Sequence, residues 1–171
     1  MSESKYQTFG QRWWAGVIDG LLLLPIGVVN AMIISGPELP WLTIAWLPFG
    51  YSLYWFYSVL GHGCYGQTVG KHLMKVRVVD NGTEQQITMW QAVLRDSGII
   101  VANTLSLGLG LCWAFNNELA NSPGFQWTRI VLGYATLAWA LTEIGTCLFN
   151  NKRRALHDLI AGTVVVKLEN Q

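Results

Sequence analysis

The sequence predicts an all-α membrane protein, a four-transmembrane-helix bundle with both termini in the cytoplasm and a small cytoplasmic sheet. Three observations predict it. Only 12% of the 171 residues are charged while 51% are hydrophobic, and a soluble domain carries about 25% charged residues. Four apolar runs each approach the ~20 residues that a spanning helix needs. Threaded through a bilayer, these runs leave the basic residues on one side. The length fits a single domain over 1–171, and a net charge of +1 argues against a nucleic-acid partner.

The first run covers about 13–34. It is too long for the apolar core of a signal peptide and lacks a small-residue cleavage site. Asp19 lies inside it, where a carboxylate costs roughly 2.5–3.5 kcal/mol on insertion scales and needs a partner, water or a task. Arg12 precedes it by two helical turns on the same face, roughly 10 Å away, so each is expected to find its partner on another helix. The second run, about 41–60, follows a short turn at 35–40 and contains Pro48 and Gly50, which bundle neighbours tolerate and which allow a kink. The third, about 90–115, carries Gly98, Gly108 and Gly110, small enough for close helix approach; its segment 105–110 is the weakest for regular helix. The fourth covers about 129–149.

Lys5 and Arg12 precede the first helix, Lys71, Lys75 and Arg77 lie in the 61–89 loop, and Lys152, Arg153, Arg154 and Lys167 lie in the 150–171 tail. The 35–40 turn has no basic residue and 116–128 has none before Arg129. The positive-inside rule therefore puts the termini and the central loop in the cytoplasm. Trp13, Trp14 and Trp90 mark the inner boundary, and Trp41, Trp113 and Trp127 the outer one.

Within the loop, Thr68 is placed to cap a short helix through Met74. Residues 76–80 alternate like a strand, Asn81-Gly82 signals a tight turn, and 84–88 return as a hairpin partner. Lys152 to Ile160 reads as a short amphipathic helix on the inner surface. The β-branched segment 162–167 is expected to add a third strand, since a lone hairpin is marginal. Gly66-Gln67-Thr68-Val69-Gly70-Lys71 is a turn and cap rather than a phosphate loop, because Tyr65 stands where the first Walker glycine is required.

Arg12 with Asp19, the segment Gly66 to Lys71 leading into Val76-Arg77-Val78-Val79-Asp80, and Arg153-Arg154-Ala155-Leu156-His157-Asp158-Leu159-Ile160-Ala161-Gly162 together resemble the RDD family of bacterial multi-pass membrane proteins, over about residues 10–167. The family's one arginine and two aspartates correspond to Arg12, Asp19 and Asp158. The resemblance implies a multi-pass protein of the bacterial inner membrane. Some members are proposed transporters, including cation/proton exchangers, and a eukaryotic branch is linked to membrane quality-control assembly.

Depth counting places Asp19, Asp96 and Glu143 in one layer on the cytoplasmic side of the bilayer centre. They are expected to converge between helices, partly neutralised by Arg95 and Arg12. Like-charged carboxylates sharing a site raise one pKa, which suits proton exchange; the alternative is a buried ion-pair network that fixes helix register. Were the third helix to start at Ser97, Arg95 and Asp96 would be a solvated flank. Asp158 is expected to receive Arg12 or Arg95. His157 reads as an ordinary interfacial side chain, a proton relay being the second option. Asn30 and Asn103 read as helix-to-helix bonds or secondary ion ligands. His62 and His72 lack metal-ligand spacing, and Cys64, Cys112 and Cys147 form no CxxC pair, so no cofactor or metal is expected. No nucleophile–base arrangement marks an enzyme. The functional expectation is transport of a small cation or proton, favoured by a homo-oligomer in the lipid bilayer; the alternative is a non-transporting assembly or adaptor protein.

Overall fold

The computed structural model describes residues 3–35, 40–115 and 117–168. After a 3₁₀ turn at Glu3–Tyr6, the order is α1 (Phe9–Ser35), α2 (Pro40–Leu60), a π-helical turn (Gly61–Tyr65), α3 (Val69–Leu73), β1 (Val76–Asp80), α4 (Met89–Phe115), α5 (Asn117–Asn121), α6 (Pro123–Phe149), α7 (Leu156–Ala161) and β2 (Thr163–Lys167). The chain is mostly helical. Among the described residues, three segments are long and apolar enough to cross a membrane: Ser4–Ile33, Met89–Cys112 and Pro123–Phe149. The second expected span, α2, has 21 residues, rich in tryptophan and tyrosine, and is not among these three.

Several boundaries differ from the sequence reading. The turn expected at 35–40 lies mostly outside the described residues. The segment 105–110 stays helical despite its glycines, and α4 begins early enough to hold Arg95 and Asp96 well inside it. Ser122 caps α6 by accepting from the Phe125 amide, with Pro123 at the first turn, so this helix starts six residues before Arg129. The tail helix is shorter than expected, because Asp158 accepts from the Ala155 amide and fixes its start there.

The apolar side chains of α1 face outward: Leu21, Leu22, Leu24, Val28 and Met32 are exposed, while Asp19 is buried. This inversion of the water-soluble pattern is what an apolar solvent demands of a bundle. Small polar joints hold the helices together. Trp46 donates to Asn30 across α1 and α2 at 2.5 Å, and Asn103 on α4 donates to the Tyr51 carbonyl on α2 at 3.2 Å.

At one end of the bundle lies a two-stranded antiparallel sheet, with Val78 opposite Val165. One face packs Val76, Val78 and Val165 against Val59 at the end of α2, Ile87 just before α4 and Ala92 in its first turn. The other packs Val79 and Val164 against Tyr6. The tail strand forms as expected, but the hairpin return expected at 84–88 does not become a strand, so the sheet has two strands and not three. Asp80 Oδ1 accepts from the amides of Gly82 and Thr83, closing the turn through a side chain, and Glu84 takes a positive φ of 56°. The returning chain contributes a single bridge, Val79 to Gln86.

Candidate functional site

The buried charged residues gather where the bundle meets the sheet, in three sets. The first surrounds Asp19. Its Oδ1 accepts from the Tyr57 hydroxyl at 2.6 Å and the Gly70 amide at 2.7 Å, and its Oδ2 accepts from the Thr68 hydroxyl at 2.6 Å. The Tyr57 oxygen in turn accepts from the Val69 amide at 2.9 Å. Thr68 caps α3, so the carboxylate docks the start of that short helix onto α1. Glycine is required at 70, since a Cβ there would sit 2.1 Å from the Ala15 carbonyl oxygen. Among the described residues no cation pairs with Asp19; its partners are uncharged.

Asp158 is the centre of the second set. Fully buried on α7, it bonds Arg12 of α1 at 2.7 Å through Oδ2 and Arg95 of α4 through Oδ1. Arg12 also donates to the Arg153 carbonyl at 3.0 Å, and Arg95 to the Thr163 hydroxyl at 3.2 Å. Both guanidinium groups reach His157 Nε2, Arg12 at 3.2 Å and Arg95 at 2.9 Å. A guanidinium only donates, so Nε2 carries the lone pair and the proton sits on Nδ1. Nδ1 then donates to Glu143 Oε1 at 2.7 Å, which also accepts from Trp139 at 2.8 Å. Burial and the adjacent Arg95 lower the His157 pKa, in keeping with this neutral form.

The third set joins the loop to α4. Lys71 Nζ donates to His62 Nε2 at 2.5 Å, and His62 Nδ1 faces the Ser58 hydroxyl at 3.2 Å and Asp96 Oδ2 at 3.8 Å. His62 and Asp96 are both buried, and Asp96 Oδ2 accepts no hydrogen bond among the described residues. Burial together with the Lys71 charge lowers His62 to about 3. Burial, then Arg95 and Arg12, lower Lys71 to about 7.

The expected convergence of Asp19, Asp96 and Glu143 is therefore not a shared site. Each carboxylate has its own partners, because adjacent Arg95 and Asp96 leave α4 about 100° apart and serve different neighbours. Arg12 and Arg95 make their ion pairs with Asp158 rather than with the layer. His157 is a half-buried connector between the two arginines and Glu143 rather than an ordinary interfacial side chain. Asn30 and Asn103 take the helix-to-helix role. The sequence reading missed Tyr57, Thr68, Gly70, His62 and Lys71. Their signal was Gly70 inside a cap motif, a small residue where backbone must approach another helix.

Among the described residues no group of histidine, cysteine and carboxylate side chains is arranged to hold a metal ion. No curated protein and no solved structure matches the chain. The family model described as RDD family matches residues 6–162.

Proposed function

This chain belongs to the RDD family, and from that premise we propose that it moves a small cation, a proton or both across a bacterial inner membrane. It is an integral membrane protein. In our reading α2 is the fourth span, since its 21 residues reach about 31 Å at 1.5 Å per residue. The basic loop and tail put both termini in the cytoplasm, and four helices form so thin a wall that a homo-oligomer is favoured. No enzymatic chemistry is assigned.

The observation that carries this reading is the compensation of the buried carboxylates. Asp158 faces two arginines, whereas Asp19 is held by two hydroxyls and one amide. An anion in a spanning helix with neutral donors alone keeps its charge available to a mobile cation or proton. The second reading, a non-transporting assembly protein, draws on the Asp158 set, whose full pairing is what a rigid lock between tail and bundle requires.

Liposomes holding the native protein or Asp19→Asn, with dye-reported proton movement on addition of Na⁺ or K⁺, test the proposal. Flux in the native protein and none in the folded variant is expected. Absence of flux in both, with both folded, moves the function to the assembly reading.

A further inference from the structure

We propose that Lys71, His62 and Asp96 form a histidine-centred proton relay that links the loop to the interior of the bundle. The three side chains come from three elements: α3, the π-helical turn that continues α2, and α4. That turn is what aims the histidine. A π-helical turn inserts one residue into the helical repeat and re-aims the side chains beyond it, and here it ends at Gly66 with φ of 71°. His62 is thereby buried between an ammonium group and a carboxylate.

The geometry fixes the starting state. Lys71 donates to Nε2, so the imidazole proton is on Nδ1, on the side of Ser58 and Asp96. The step is a concerted exchange of two protons. Lys71 gives one to Nε2 as the N–H bond at Nδ1 breaks, and that second proton goes to Asp96 Oδ2 when the 3.8 Å between them closes to hydrogen-bonding distance. A charged lysine and carboxylate become an amine and a carboxylic acid, and the histidine changes tautomer with no net charge. Return of the Asp96 proton to a pathway in the bundle, and capture of a new one by Lys71, reset the relay.

Two features suit the residues to this task. Asp96 Oδ2 is a buried acceptor with no hydrogen bond among the described residues, which leaves it ready to receive. Lys71 loses its proton readily near neutrality, since burial and then Arg95 of α4 and Arg12 of α1 lower it to about 7, while Asp96 of α4 and Asp158 of α7 act against them. His62 faces Lys71, Arg95 and Asp96. A relay also explains why a half-buried lysine faces a buried histidine at all, an arrangement costly to stability.

The relay's role in transport rests on the reading above, so the test reads the histidine directly as well. Nitrogen-15 histidine spectra of the full chain, in vesicles of phosphatidylcholine and phosphatidylglycerol, are recorded a unit either side of the lysine's titration. Below it His62 is expected as the Nδ1–H tautomer. Above it the tautomers mix, because a neutral Lys71 no longer enforces an acceptor at Nε2. Lys71→Arg keeps the donor and the charge but never releases a proton, so it is expected to lock Nδ1–H throughout. A His62 spectrum that does not change with pH, or that changes equally in Lys71→Arg, overturns the relay. Proton flux is expected to fall on the order of tenfold or more in Lys71→Arg and Asp96→Asn; native-level flux in both also overturns it. A native protein without flux removes the transport reading, and the spectra then decide the relay alone.

Discussion

Substituting Gly70 by alanine tests how the loop is docked. The added Cβ would lie 2.1 Å from the Ala15 carbonyl oxygen and 2.9 Å from Asp19 Cγ. Ordinary contact between such atoms needs roughly 1 Å or more beyond the shorter of these distances. Both neighbours are anchored in α1, so α3 must retreat. A retreat of that size takes the Gly70 amide, now 2.7 Å from Asp19 Oδ1, out of hydrogen-bonding range. Overpacking costs about 1–3 kcal/mol, and a bond to a charged group contributes about 1.5–3 kcal/mol. These overlap, since the retreat relieves the clash, and a net loss of about 2–4 kcal/mol is expected. The assay is denaturant unfolding in micelles with amide exchange read at residues 68–74, where protection should drop first. Gly16→Ala is the control, because a Cβ there meets nothing within 4 Å, and inside helix α1 it should leave stability unchanged or raise it by up to about 1 kcal/mol. Equal effects of the two substitutions would refute the docking argument.

Three further outcomes are expected. Asp158→Ala leaves Arg12 and Arg95 buried without their carboxylate and should cost about 3–5 kcal/mol in unfolding measurements, with a smaller loss when Arg12→Met is added. Stability should rise with pH on two accounts. The unfolded state binds the His62 proton below about pH 6.5 while the folded state does not until about 3, and it keeps the Lys71 proton up to about 10.4 while the folded state releases it near 7. Melting temperature should therefore climb from acid to alkaline pH, and His62→Gln should flatten the acid limb. Cys64 is exposed on the loop side, so an impermeant maleimide should modify it in inverted membrane vesicles and not in right-side-out ones, in a Cys112→Ser background; the reverse pattern would overturn the proposed orientation.

The sequence exposed features that carry a solvation penalty. A carboxylate in an apolar run stands out by composition alone, which marked Asp19, and the two-turn spacing from Arg12 correctly excluded a simple pair between them. The tail strand was visible in its β-branched residues. What stayed hidden depends on folding back. Nothing near residue 62 announces a π-helical turn, so the approach of His62 to Lys71 was not readable. The hairpin failed because Asp80 closes its own turn and Lys5 and Tyr6 draw Glu84 away at 2.6 Å each. Residues nearly eighty positions apart made that decision.

Asp19 and Asp158 do different work, and the contrast explains why Asp19→Asn is the informative change. The Tyr57 hydroxyl and the Gly70 amide both point at Oδ1, so an asparagine must place its oxygen there. Its amide NH₂ then faces Thr68, whose hydroxyl now donates to Oδ2. A hydroxyl can rotate and accept instead, and Thr68 already accepts weakly from the Lys71 amide at 3.4 Å. Every partner is kept at the cost of one rotation, so the loop should stay docked and stability should fall by about 1 kcal/mol or less. At Asp158 no such rotation exists, since an NH₂ group would face a guanidinium that can only donate. Asparagine therefore removes charge from position 19 while keeping architecture, and at position 158 it removes both. A folded Asp19→Asn protein that still carries flux would place the mobile charge elsewhere, with Asp96 the next carboxylate to change.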